Sequence, residues 1–234
     1  MASFRKGFVD ALPICFGYFA VGFAIAAAAV AGGHPVWSPV VQSFTQLSGT
    51  SQGAISNRPI PGPDGGFWEL ALLCVGLNLR YVLLALALAQ KLPQSVGLGG
   101  RLFAAMGVTD ENTALAISRP FAPTVPYLAG VLVSSALGWD AGNLAGALGT
   151  SLLPASALAP LGIALYAMFV AIVVPVAKSS RPTLFCVAAA ALANCGMRLL
   201  PAGIRPAPAL AMLLAGVGAA ALSVWLFPKK EAAK

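Results

Sequence analysis

Charge is scarce in this chain. Only 9% of its residues are charged, against 59% hydrophobic, and histidine occurs once. A soluble domain carries about 25% charged residues, so an ordinary water-soluble fold is excluded. A mean hydropathy of +0.85 places the chain in a lipid bilayer. The net charge of +7 does not indicate nucleic acid, because the basic residues are scattered between apolar runs and form no patch. Cysteine is equally sparse. Cys15, Cys74, Cys186 and Cys195 show no C-x-x-C spacing and sit in apolar surroundings. They read as small buried thiols, with no metal site, disulfide framework or cofactor expected. No soluble domain, low-complexity tail or heptad run is present.

What is present is a series of apolar segments. A span needs about 20 apolar residues. Full spans are expected at 8–30, 66–89, 121–138, 156–177, 183–200 and 208–227. Arg5 and Lys6 ahead of the first run resemble a signal peptide. Asp10 and Pro13 interrupt that run and further spans follow, so the reading is an uncleaved helix. Two stretches are too polar to face lipid. One is 38–55, with Gln42, Ser43, Thr45, Gln46, Ser48, Thr50, Ser51 and Gln52. The other is 102–118, with Thr109, Asp110, Glu111, Asn112 and Thr113 at its middle. The expected fold is an all-α polytopic membrane protein. It has about six full transmembrane helices, two short re-entrant or broken helices and a possible inverted repeat. Residues 1–234 form a single transporter domain, of which 228–234 is a basic cytoplasmic tail.

The basic residues orient this arrangement. With both short segments re-entrant, Arg5, Lys6, Lys91, Arg101, Arg119, Lys178, Arg181, Lys229, Lys230 and Lys234 fall inside. Arg58 and Arg205 fall outside, and Arg80 and Arg198 lie within spans. That bias puts both termini in the cytoplasm. Residues 141–154, "AGNLAGALGTSLLP", fit either a continuation of the preceding helix, which buries Asp140, or an interfacial piece. The pair Gly142–Gly146 suits close helix packing. Loop 56–66, "SNRPIPGPDGG", is a turn-forming connector.

The stretch "SGTSQG", 48–53, matches G-x-S-x-G, the nucleophile elbow of serine hydrolases. No strand pattern precedes Ser51. The sole histidine, His34, lies upstream in a surface turn beside Trp37, and no lysine lies inside a span. An intramembrane hydrolase using Ser51 is therefore the alternative and not the leading reading. The leading reading is that Gly49 and Gly53 break a helix at membrane depth. Irregular backbone there must be buried in protein or line a cavity. The freed N–H groups and the hydroxyls of Ser48, Thr50 and Ser51 suit a substrate carboxylate. A loop that only packs is the plainer possibility.

In "GLNLRYVLL", Asn78 and Arg80 fall near mid-span. Insertion scales charge about 2.5–3.5 kcal/mol for an arginine there, so Arg80 needs a partner or a wet cavity. "GVTDENTAL" offers Asp110 or Glu111 as that partner. The pair is either a binding and proton-coupling group or a structural lock. Glu69 and Arg198, near span ends, are expected to snorkel to the interface.

"FRKGFVDALPICFGYFAVGFAI", "FTQLSGTSQGAI", "NLRYVLLALALAQKL" and "GVTDENTALAI" resemble, in order and spacing, the AzlC family. Those proteins are the large subunits of two-component branched-chain amino acid exporters, and the similarity runs through nearly the whole chain. Its strongest motifs are Ser51-Gln52, Asn78-Leu79-Arg80 and Thr109-Asp110-Glu111. The resemblance implies proton-linked export of leucine, isoleucine, valine or a similar apolar amino acid. It also implies a small AzlD-like membrane partner and a place in the bacterial cytoplasmic (inner) membrane. No enzymatic activity is expected. The substrate-binding set is then Ser48, Gly49, Thr50, Ser51, Gln52, Asn78 and Arg80. The proton-coupling or ammonium-binding set is Thr109, Asp110, Glu111 and Asn112. An uncoupled channel is the other alternative.

Overall fold

The computed structural model describes residues 3–56, 66–150, 170, 174, 177–178, 180–201, 203–206 and 208–228. The chain divides into two compact units, residues 1–61 with 77–165 and residues 62–76 with 166–234. The described residues of both are helical. The expected span 156–177, most of loop 56–66 and the basic tail 229–234 lie largely or wholly outside the described residues.

The first unit opens with α1 (Phe4–Asp10) and α2 (Leu12–Ala31). They are separated at Ala11 because Pro13, in the first turn of α2, has no N–H to continue the ladder. α3 (Trp37–Thr45) and α4 (Gly49–Ser56) follow. α5 (Phe67–Asn78) opens in the second unit; its last two residues and α6 (Arg80–Lys91) belong to the first. α7 (Leu98–Met106), α8 (Asp110–Ser118) and α9 (Val125–Gly149) complete the first unit. In the second, α10 (Arg181–Arg198) and α11 (Pro208–Leu226) form an antiparallel pair. There Ser223 donates to the Pro182 carbonyl at 3.0 Å, and the Phe185 and Phe227 rings lie 5.7 Å apart.

Among the described residues, two helices are long and apolar enough to cross a bilayer, Leu12–Ala31 and Phe67–Lys91; Leu210–Leu226 is apolar but shorter. α9 and α10 have the length, yet Ser, Gly, Asn and Asp in α9 and Thr, Asn and two arginines in α10 lower their apolarity. Of the two readings open for 141–154, the helix follows the first: the span expected at 121–138 continues to Gly149, so 141–149 extends it and Asp140 sits half-buried within it.

α9 is the spine of the first unit, and two of its faces explain its composition. A Cβ on Gly138, Gly142 or Gly146 would overlap the main-chain carbonyls of Cys15, Phe19 and Phe23. These small residues, four apart, let α9 lie directly on the α2 backbone. The matched residues rise together in both helices, so α2 and α9 run parallel. The adjacent face carries Ser135, Trp139 and Asn143, also four apart, and each of these makes a hydrogen bond to a broken segment.

Both polar segments are broken hairpins. α3 starts beyond the C-terminal end of α2 and descends to Gln46, whose carbonyl accepts from the Trp139 indole at 3.2 Å. α4 then returns, and the Ser56 carbonyl comes back beside Gly32. α7 begins beside Val125, at the opposite end of the α2–α9 pair, and reaches Gly107 next to Leu132. α8 returns until Arg119 meets Asp10 at 3.2 Å. Each hairpin thus enters and leaves at its own end. Their tips meet at the level where the Tyr18 and Trp139 rings pack edge to face, 5.8 Å apart.

The first break is not where the sequence reading put it. Gly49 and Gly53 lie inside α4; the interruption is Gln46–Ser48, with Gln46 extended. Gly49 instead provides clearance, since a Cβ there would lie 3.3 Å from the Trp139 ring.

Candidate functional site

Each hairpin tip is stabilised by a hydroxyl cap. The Ser51 N–H donates to Ser48 Oγ at 3.4 Å, and the Asn112 N–H donates to Thr109 Oγ1 at 3.2 Å. A Ser or Thr in this position satisfies a donor that the helix start leaves open. Asp110 and Glu111 fill the first turn of α8, where the helix dipole favours negative charge by about 0.3–1 kcal/mol. Local helix physics therefore accounts for an acidic residue here; it does not account for what the two acids face.

Buried amides pin both hairpins to the spine. Gln52, fully buried, donates to Asn143 Oδ1 and to the Pro39 carbonyl at 3.1 Å. Asn112, 3% exposed, donates to Ser135 Oγ at 3.0 Å and to the Gly107 carbonyl at 3.1 Å. Gln52 and Asn112 thus tie the two hairpins to α9.

At that meeting point stand Asn78 and Arg80, flanking the irregular residue Leu79 between α5 and α6. Ser48 Oγ donates to Asn78 Oδ1 at 2.9 Å, and Asn78 Nδ2 donates to Ser51 Oγ at 2.8 Å. The Asn78 amide thus closes a ring with the first tip. Arg80 spans both tips. Its Nη1 lies 2.8 Å from Asp110 Oδ2, and its Nη2 donates to Thr50 Oγ1 at 3.3 Å. The guanidinium also stacks over the Tyr81 ring at 5.1 Å. Of the two acids offered by the sequence, Asp110 takes Arg80; Glu111 turns to α2, where the Tyr18 hydroxyl donates to its Oε2 at 2.6 Å.

The ion pair is only partly buried. The Arg80 and Asp110 side chains are 34% and 32% exposed. A pair this exposed contributes about 0–1 kcal/mol to stability.

Tyr18, Ser135, Trp139 and Asn143 escaped the sequence reading. Ser135, Trp139 and Asn143 carried a readable signal, a polar or amphipathic residue every fourth position of one long helix. Tyr18 carried none, since it is one of several aromatics in an apolar run. His34, in the turn after α2, is 7% exposed. Ser51 is fully buried, with its hydroxyl bonded to Ser48 and Asn78.

Comparison with known proteins agrees with the membrane character of the helices. The chain is 29% identical to the inner membrane protein YgaZ of Escherichia coli K12 over 213 residues, covering 87% of this chain and 85% of YgaZ. An uncharacterised membrane protein of Archaeoglobus fulgidus is 28% identical over 176 residues, covering 74% of this chain and 76% of its own. No solved structure matches. The family model described as AzlC protein matches residues 13–153, which contain both hairpins, Asn78, Arg80 and the α9 spine. The chain is a membrane protein of the AzlC family.

Proposed function

We propose that the chain is the large subunit of a proton-coupled secondary transporter that exports branched-chain or similar apolar amino acids. The observation that carries this reading is the Arg80–Asp110 pair at the junction of two oppositely directed hairpin tips. A zwitterion complements such a pair. Its carboxylate takes Arg80, together with the Thr50 hydroxyl and the open N–H groups at the start of α4. Its ammonium takes Asp110. Each charge exchanges one partner for another, so binding strands no buried charge, the chief cost of opening an ion pair. Neighbouring apolar side chains select the substrate, and one methylene is worth only about 1–3 kcal/mol, so modest selectivity among branched substrates follows.

The hairpins support alternating access. α2 with α3–α4 and α6 with α7–α8 run in opposite senses, each a helix followed by a hairpin at the end it reaches. That is the layout of inverted repeats in secondary transporters, with the site between them. In this reading the two ends of the α2–α9 pair are the two membrane faces. About six helices span fully, both termini are cytoplasmic, the membrane is the bacterial inner membrane, and a small AzlD-like subunit completes the complex. Ser51 bonds a serine and an amide, neither of which is a general base. That arrangement favours a carrier over a hydrolase.

The test is efflux of a panel of labelled amino acids from proteoliposomes, with and without an imposed pH gradient. The expected result is saturable efflux of apolar amino acids, accelerated by the gradient and lost in Asp110→Asn. Non-saturating flux would indicate a channel. Unchanged, still pH-dependent efflux in Asp110→Asn would overturn the reading.

A further inference from the structure

Asp110 and Glu111 are neighbours in sequence, yet they face different partners. Successive residues of a helix point about 100° apart, which sends Asp110 to α6 and Glu111 to α2. We propose that the two acids divide the work: Asp110 is the substrate and ion-pair carboxylate, and Glu111 is the proton-carrying carboxylate, positioned by the Tyr18 hydroxyl. The assignment rests on the transport reading above and deepens it.

The argument is one of hydrogen-bond balance. Tyr18, 8% exposed, places its hydroxyl 2.6 Å from Glu111 Oε2 and 2.8 Å from Thr109 Oγ1. It has a single proton to give. With Glu111 ionised, Tyr18 donates to the carboxylate and Thr109 donates to the Tyr18 oxygen. With Glu111 protonated, the carboxyl O–H donates to Tyr18, and Tyr18 donates to Thr109. The heavy atoms need not move. A hydronium on one side gives its proton to a Glu111 oxygen and becomes water; on the other side the carboxyl O–H breaks and its proton passes to a water, which leaves as hydronium. Tyr18 and Glu111 stay hydrogen-bonded to each other in both states, so loading and unloading strand neither of the two groups. Asp110 has no such symmetry, because protonating it removes the anion that faces Arg80 at 2.8 Å.

The charged and titratable groups around Glu111 fit this division. α2 presents Tyr18, whose ring α9 covers with Trp139. α6 presents Arg80, committed to Asp110 and Thr50, and Tyr81, which lies beneath the guanidinium. α8 contributes Asp110 and Thr109. Tyr18 is thus a positioning residue between two helices: it holds Glu111 toward α2 and keeps it from competing for Arg80.

The test uses the full-length protein in lipid nanodiscs and pH-difference infrared spectroscopy. Wild type is expected to show a titrating carboxyl carbonyl band that disappears in Glu111→Gln and persists in Asp110→Asn. Tyr18→Phe is expected to keep the band and move its midpoint, a change that loss of packing alone would not produce. In proteoliposomes, Glu111→Gln is expected to lose gradient-driven accumulation while still exchanging labelled for unlabelled substrate. A band that vanishes in Asp110→Asn, or in neither variant, overturns the assignment, as does an unmoved midpoint in Tyr18→Phe. A wild-type protein that has the band but moves no amino acid sinks the transport reading and leaves the Glu111 assignment standing.

Discussion

Arg80 holds Asp110 at 2.8 Å through one guanidinium nitrogen and Thr50 at 3.3 Å through the other. One planar side chain therefore joins the tips of two hairpins that enter from opposite ends of the α2–α9 pair. Through it a single residue bonds the first tip to the second.

Arg80→Lys tests what that fork does. Lysine keeps the charge but presents a single ammonium, which cannot span both tips in the same way. A lost hydrogen bond to a charged group is worth about 1.5–3 kcal/mol. Efflux is expected to fall roughly ten- to a hundredfold by that difference. The partly exposed pair adds only about 0–1 kcal/mol to stability, so the thermal midpoint in detergent should move by no more than about 4 °C. A variant that melts far earlier would make Arg80 a structural lock.

Gly142→Leu probes the spine. The new side chain would collide with the Phe19 carbonyl, and only separation of α2 and α9 relieves it. Overpacking of this kind costs about 1–3 kcal/mol or more. Gly17→Ala is the control: it lies on the same α2 but meets nothing within 4 Å. An alanine in an open helical position should stabilise by up to about 1 kcal/mol. Thermal unfolding in detergent separates the two. Equal midpoints would mean that the close approach of α2 and α9 contributes nothing.

The polar segments were legible in the sequence because lipid tolerates so few hydroxyls and amides in a row. Ser48 to Gln52 and Thr109 to Thr113 stood out against apolar flanks, and Arg80 demanded an acid. The location of the first break was not legible. Two glycines drew attention to 49 and 53, but a glycine at close packing looks the same as one at a break. The Ser48 cap and the Trp139 indole decide the matter, and Trp139 lies far away in sequence. The division between Asp110 and Glu111 was equally hidden, because it depends on which helices flank α8. The end of α9 stayed open between two readings for a simpler reason: its polar face packs on the hairpins, so its apolarity falls without ending the helix.

The parallel course of α2 and α9 constrains the membrane topology. Between them the chain passes one hairpin, the helix Phe67–Lys91 and a second hairpin. With that helix crossing once, α9 can run parallel to α2 only if both hairpins return to their own face or both cross. One of each would set α9 antiparallel. In the transport reading the contacts fit the first case, since Ser56 returns to Gly32 and Arg119 returns to Asp10. In a chain with its four cysteines replaced, single cysteines at Gly97, Ala122 and Val36 can be labelled with an impermeant maleimide. Gly97 and Ala122 flank the second hairpin and should label from the same face of the membrane, with Val36 labelling from the other. If Gly97 and Ala122 label from opposite faces, the second hairpin crosses the bilayer, and Asp110 no longer meets Arg80 from a re-entrant tip.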